Sequence, residues 1–282
     1  PGYEGGLGPL GIECAGRVAR TGAAVTHLEA GDAVVAIGHG CLQRHARVRG
    51  ALVAPLPPGW SAADAAALPI AFLTALHALV DLARLDAGER VLVHSAAGGV
   101  GLAAVQIARQ RGAEVIASAG TEDKRALLRG MGIAHVVDSR APFADAVLAA
   151  TGGRGVDVVL NSLAGDAIAE GLRCLAPYGR FVELGKRDIY GGTRIALAPF
   201  RANLSYFAVD LDRMMSERPE RLGASLRQLM HDAGAGTWAP LPTTVFEADR
   251  VADAFQGLMP GTHVGKHVVA LDPPPAQVAP AP

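Results

Sequence analysis

The 282-residue chain carries 26 basic against 27 acidic side chains, and half of its residues are apolar. A formal net charge of −1 supplies no global basic field, which argues against nucleic acid or an anionic membrane as the main partner. The length suits one large domain or two of medium size, and 35 glycines with 18 prolines stay below the ~25–30% that marks disorder.

Cys14, Cys41 and Cys174 are far apart in the chain, so neither a disulfide framework nor a clustered metal site is visible. That usage predicts a reduced, soluble protein of the cytoplasm. Only Lys124, Lys186 and Lys266 are lysines, every other basic residue being arginine. A coding bias that replaces lysine wherever charge alone is needed leaves these three as places where a compact, titratable ammonium matters. The chain opens at Pro1 without a basic n-region or an apolar signal core, and residues 272–282 read as a proline-rich linker. Both ends predict a piece of a longer polypeptide.

In chain order, the first seventy residues hold short valine runs among glycines, at Arg17-Val-Ala, Asp32-Ala-Val-Val-Ala and Ala51-Leu-Val-Ala. They predict a small antiparallel β domain. The apolar window Ala65 to Leu76 is interrupted by Pro69 and flanked by charge, so it reads as a buried helix, well short of the ~20 apolar residues a membrane span needs. From Arg90 the pattern changes. Strands are predicted at Arg90–His94, Glu114–Ser118, His135–Val137, Val156–Leu160 and Arg180–Leu184. Helices between them start near Leu102, Glu122, Ala144 and Asp166. This alternation predicts βαβ units and an α/β fold with a doubly wound parallel sheet over about residues 73–210. Two more helices (Arg221–Leu229, Val251–Leu258) and a strand (Lys266–Leu271) follow, and periodicity does not say which sheet that strand joins.

Ser95-Ala-Ala-Gly-Gly-Val-Gly101 lies between the first parallel strand and its helix. Glycines there let the backbone N–H groups of Ala97, Gly98, Gly99 and Val100 approach a pyrophosphate at a helix N-terminus. The spacing departs from the strict dinucleotide fingerprint. The second strand ends in Ser118-Ala-Gly120 with Lys124 one helical turn beyond, and no carboxylate stands at the tip to receive a ribose 2′-hydroxyl. Hydroxyls and cations there predict a 2′-phosphate, hence NADPH. Arg140, after the third strand, is a second candidate for the adenosine side, with a solvated loop arginine as the alternative.

Residues Val91–Ala104 (VLVHSAAGGVGLAA), Gly155–Gly165 (GVDVVLNSLAG), Gly179–Asp188 (GRFVELGKRD) and His263–Val269 (HVGKHVV) resemble the enoyl reductase domain of type I polyketide and fatty acid synthases. These domains are medium-chain dehydrogenase/reductase proteins related to quinone oxidoreductases. The resemblance covers nearly the whole chain. It implies a Rossmann domain at 73–210 and an N-terminally incomplete GroES-like substrate domain at 1–72, rejoined by 211–271. The implied activity is NADPH-dependent reduction of an enoyl thioester held on an acyl carrier protein. Dehydratase and ketoreductase domains would be its neighbours.

Zinc enzymes of that superfamily carry Gly-His-Glu, where this chain has Gly11-Ile12-Glu13, and a group of four cysteines that is missing here. No metal is therefore expected. Lys186 directly follows a strand, at the carboxyl-end crevice, and is the candidate for stabilising the enolate or donating the proton. Asp210 ends the next strand at the same rim and aligns with its acidic partner, Asp212 being the rival. The resemblance also assigns Thr74 to the nicotinamide ribose, Asn161 and Ser162 to ribose and nicotinamide, and Phe207 to the carboxamide through its backbone. Lys266 would close over the cofactor. The dispersed His77, His94, His135 and His267 read as packing residues. Some relatives set product configuration with a tyrosine in a Tyr-Pro-Gly context; here Pro1-Gly2 open the sequence and Tyr3 is out of register, which leaves stereochemistry open. A free-standing NADPH:quinone oxidoreductase and a catalytically silent cofactor-binding module are the competing readings.

Overall fold

The computed structural model describes residues 8–271, so Tyr3 and the predicted linker 272–282 lie outside the described residues. Three strands open the fold: β1 (Glu13–Arg17), β2 (Ala33–Ile37) and β3 (Val53–Pro55). They pair antiparallel in the order β1-β2-β3, with Cys14 opposite Ala36 and Val35 opposite Ala54. The apolar window forms two helices, α1 (Ala62–Ala66) and α2 (Pro69–Leu76). Ser61 caps α1 by accepting from Asp64 N at 3.1 Å, and Pro69 opens α2, where its missing N–H costs nothing. Phe72, Leu73 and Leu79 are fully or almost fully buried.

The parallel sheet follows as β4 (Arg90–Val93), α3 (Gly99–Gln110), β5 (Glu114–Ala119), α4 (Glu122–Gly130), β6 (His135–Asp138), α5 (Ala144–Ala150), β7 (Val156–Asn161), α6 (Asp166–Arg173) and β8 (Leu175–Glu183). After the short α7 (Arg187–Tyr190), β9 (Ser205–Ala208) completes it. All five pairings are parallel, in the order β6-β5-β4-β7-β8-β9. Chain direction across the sheet reverses between β4 and β7, and the carboxyl ends of those strands therefore border the crevice where open sheets bind ligands. Val91, Leu92, Val158 and Val159 are buried on both faces, as helices on each side require.

The expected helix near Arg221 is α9 (Pro219–Gly234), preceded by α8 (Leu211–Glu217). α9 packs against β3, and Trp60 Nε1 donates to Ala233 O at 3.2 Å, so the late helix closes the core of the early residues. The last strand, β11 (Lys266–Ala270), joins neither larger sheet. It pairs in parallel with β10 (Thr243–Glu247), a β-branched run that the sequence reading passed over, with α10 (Val251–Leu258) between them. No helix among the described residues is long and apolar enough to cross a membrane.

Candidate active site

β4 delivers the chain into a sharp turn in which Ser95 takes a left-handed φ of 50°. Gly98 N bonds Ser95 O at 2.9 Å and serves as N-cap of α3 without any side-chain cap. The N–H groups of the first turn have no acceptor within the helix, so they face outward with the positive end of the dipole. A Cβ on Gly101 would lie 2.5 Å from Ala96 Cα, and one on Gly99 would lie 2.6 Å from the Lys266 side chain. Glycine is what lets the Ala96 backbone and the Lys266 stem lie against this turn, and the outward N–H groups of the first turn of α3 are what a dinucleotide pyrophosphate fits.

The segment before β11 closes along the same loop. Gly265 N donates to Ala97 O at 2.9 Å, and Gly98 and Gly265 form a parallel bridge. The stem of Lys266 crosses Gly99, and its ammonium ends on the Glu13 carboxylate of β1. The second Glu13 oxygen accepts Ile70 N at 2.8 Å. First strand, last strand and dinucleotide loop are thus joined by one half-buried ion pair.

At the tip of β5, Arg140 lies across Gly120, close enough that its charge and that of Lys124 repel. Burial, with Arg140 adding, lowers the Lys124 pKa, and Lys124 Nζ donates to Gly261 O at 2.6 Å. Arg125 is engaged by Glu122 and Asp138, each at 3.0 Å. The Ser118 expectation changes. Its residue is fully buried and its Oγ lies 2.6 Å from His94 Nδ1, so the hydroxyl faces the sheet interior. Burial also drives the His94 pKa down to about 3, which keeps the ring neutral.

At the end of β7, Ser162 donates to Ser95 Oγ at 2.9 Å, tying the two sides of the crevice together. Asn161 does not reach that crevice. It is fully buried, and its Nδ2 donates to Glu183 Oε2 at 2.6 Å and to Leu163 O at 2.7 Å. It holds the ends of β7 and β8 in register. Glu183, 1% exposed, has its pKa pushed up by burial to about 7, against the opposing bonds from Asn161 and Gly185 N. Sequence reading missed Glu183 because a carboxylate in a strand reads as solvent-facing until the sheet is covered.

Beyond β8, Lys186 is the residue that leads into α7. Its Nζ lies 2.7 Å from Asp210 Oδ1 and 3.7 Å from Asp212 Oδ2, so both acidic candidates surround it. Asp210 is not at a strand end as expected. β9 stops at Ala208, and Asp210 caps α8, accepting Arg213 N at 3.1 Å. Burial pushes the Asp210 carboxyl up, but the Lys186 ammonium, the Arg213 N–H and Tyr190 outweigh it and hold its pKa below the usual range. Tyr190 Oη donates to Asp210 Oδ2 at 3.3 Å, and His39 Nε2 lies 2.9 Å from Asp212. Both were missed. The one-turn spacing Lys186–Tyr190 was available in the sequence, whereas His39 comes from the loop after β2 and gave no signal.

Thr74 is half-buried on α2, which packs against α3. Phe207 sits on β9 at the sheet edge, its ring packed on the main core, with Val182 as its strand partner. Among the described residues no group of three or more His, Cys, Asp or Glu side chains is arranged to hold a metal ion.

A family model described as a zinc-binding dehydrogenase matches residues 99–214. The chain is 43% identical to a phenolphthiocerol/phthiocerol polyketide synthase of Mycobacterium tuberculosis over 272 residues, 96% of this chain and 12% of that protein. It is 46% identical to the phthioceranic/hydroxyphthioceranic acid synthase of Mycobacterium bovis over 274 residues, 96% of this chain and 13% of the synthase. The chain thus spans about an eighth of the length of these relatives. Among solved structures, the CurK enoyl reductase matches with a TM-score of 0.84 and 38% identity, covering 94% of this chain and 79% of that one.

Proposed function

Since this chain belongs to the enoyl reductase domains of polyketide synthases, within the medium-chain dehydrogenase/reductase superfamily, we propose that it reduces the double bond of an enoyl thioester on an acyl carrier protein, with NADPH as reductant. The observation that carries the reading is the Lys186–Asp210 pair beyond the carboxyl end of β8, an ammonium held by an ionised acid at the rim of the parallel sheet. Bound NADPH would supply a hydride to the substrate β-carbon. The chain supplies the rest. The first turn of α3 receives the pyrophosphate, and Lys124 and Arg140 receive the 2′-phosphate as point charge and planar fork. Ser162 and Thr74 border the ribose, the outer backbone edge at Phe207 meets the carboxamide, and Lys266 lies over the loop.

Lys186 offsets the negative charge that grows on the thioester oxygen and holds a proton within reach of the α-carbon. Asp210 keeps that ammonium charged and aimed, and Tyr190 fixes the far oxygen of Asp210. Asn161 acts as a positioning residue behind this wall. We also read residues 211–271 as part of the substrate domain begun by the early strands, a division supported by α9 lying on β3.

The reaction is read as metal-independent. Glu13, the one carboxylate left of the zinc motif, is engaged by Ile70 N and Lys266, and the described residues gather no ligand set. The test is NADPH oxidation by the purified protein with a crotonyl thioester of pantetheine against a simple quinone, before and after exhaustive chelation. Thioester turnover well above quinone turnover, unchanged by the chelator, is expected. Faster quinone turnover would return the chain to the quinone reductases, and chelator-sensitive activity would overturn the metal-free reading.

A further inference from the structure

Glu183 closes β8 as a buried carboxylate to which the reduction set out above gives no part. Its side chain has two partners. Oε1 accepts Gly185 N at 2.5 Å, and Oε2 accepts Asn161 Nδ2 at 2.6 Å. Its backbone has a third, since Glu183 O accepts Val209 N at 2.9 Å. Gly185 immediately precedes Lys186, and Val209 immediately precedes Asp210. One residue thus holds the main chain one step before each member of the Lys186–Asp210 pair. The fit on the lysine side is close, for a Cβ on Gly185 would lie 2.7 Å from Glu183 Oε1.

From this arrangement we propose that Glu183 is a positioning residue for the reduction: its carboxylate fixes the turn that carries Lys186 and so sets the ammonium against Asp210. The proposal rests on the reading of Lys186 as the group that acts on the thioester.

The charge form matters because both oxygens face N–H donors. An ionised carboxylate presents acceptors alone, so it meets both. A protonated carboxyl has to turn an O–H toward one of the two donors and gives up that bond. Asn161 cannot turn over to receive it without loss, because its Oδ1 already accepts Leu163 N at 3.2 Å and its Nδ2 also donates to Leu163 O. The ionised form is therefore the one that ties the Lys186 turn to β7.

The groups around Glu183 set where the two forms exchange. Burial raises its pKa to about 7, the Asn161 and Gly185 bonds opposing and the Asp188 charge adding to the rise. Asp188, on α7, is itself held by Gly165 N and Thr193 Oγ1. From β9 the neighbour is Tyr206, a phenol pushed up to about 12, chiefly by burial, and so neutral where Glu183 titrates.

The experiment follows kcat, the thioester KM and the NADPH dissociation constant over about two pH units either side of neutrality. It compares the native chain with Glu183→Gln, Asn161→Ala and Lys186→Ala, and adds amide hydrogen exchange of the 184–190 segment. Native kcat is expected to fall about tenfold per unit below about pH 7. Glu183→Gln, which can accept only one of the two bonds, should be flat there and slower by about 10–10²-fold. Its KM and NADPH affinity should stay native while the 184–190 amides exchange faster. Asn161→Ala removes a bond that favours the charged form, so its acid limb should move to higher pH. An acid limb retained in Glu183→Gln, native kcat in that variant, or NADPH affinity lost in step with kcat would each overturn the proposal. If Glu183→Gln does not fold, Asn161→Ala decides, and a limb at its native position refutes it. Near-native turnover in Lys186→Ala overturns the Lys186 reading itself, whereas a slow Lys186→Ala beside a native-like Glu183→Gln overturns this proposal alone.

Discussion

Lys186 Nζ stands 2.7 Å from Asp210 Oδ1, joining the end of β8 to the start of α8 at the open rim of the parallel sheet. Both side chains are about one-quarter exposed, so the pair is shielded enough to keep its geometry and open enough to meet a substrate. If Lys186 acts mainly on the transition state, Lys186→Ala lowers kcat and kcat/KM together by about 10²–10³ while the NADPH dissociation constant stays unchanged. Asp210→Asn gives a smaller loss, and the double variant falls well short of the sum because the two act as one unit. Steady-state kinetics with a carrier-bound enoyl substrate, paired with fluorescence titration of NADPH, checks this. Near-wild-type turnover in Lys186→Ala would reduce the residue to a wall of the site.

Lys124 and Arg140 are cations at the β5 tip whose side chains, among the described residues, no carboxylate engages in the way Glu122 and Asp138 engage Arg125. Lys124→Ala and Arg140→Ala should each weaken NADPH binding by about 1.5–3 kcal/mol, the worth of a charge-assisted contact, and leave NADH binding almost untouched. Calorimetric titration with both cofactors reads the difference. Equal affinities for the two cofactors in the wild type would refute the 2′-phosphate assignment.

Glu13 links Lys266 to α2 through opposite oxygens of one carboxylate. Glu13→Gln keeps the shape but removes the charge, leaving the Lys266 ammonium without its counter-ion in a half-buried site. A stability loss of about 1–3 kcal/mol in urea unfolding is expected, together with a higher KM for the cofactor as the 263–266 segment loosens. Unchanged urea midpoint and KM would mean that the bridge at Gly98–Gly265 holds the segment alone.

Glu183 is buried with a pKa raised to about 7 from the ordinary 4.5. A carboxyl raised in the folded state contributes its stability fully below about pH 4.5, and that contribution is lost as the pH climbs through 7. The loss is at most about 3 kcal/mol. Glu183→Gln should flatten the stability profile between those limits. Urea midpoints at half-unit pH steps test it; the same slope in the variant would assign the titration to another group.

The strands of the parallel sheet were legible because both of their faces are buried, which leaves valine-rich runs such as Val156-Asp-Val-Val-Leu160, opened by Gly155 and interrupted by Asp157. The loop at Ser95–Gly101 was legible because a strand-to-helix turn that must admit another backbone has to be glycine. Boundaries moved where propensity is weak. β8 begins five residues earlier than its apolar run suggests, since pairing with β7 extends the ladder back to Leu175. β10 was missed because a half-exposed pair of strands carries little hydrophobic pattern.

By itself the sequence determined the βαβ alternation from β4 to β8, the parallel sheet, the dinucleotide turn and Lys186 at a strand end, because each depends on spacing within a few residues. Only the tertiary structure decided which side chains meet across the chain: Glu13 with Lys266, His39 with Asp212, Asn161 turned inward onto Glu183. Such contacts depend on how separate elements pack. Burial then sets their chemistry, as it raises Glu183 and silences His94, and local sequence pattern carries no measure of burial at that distance.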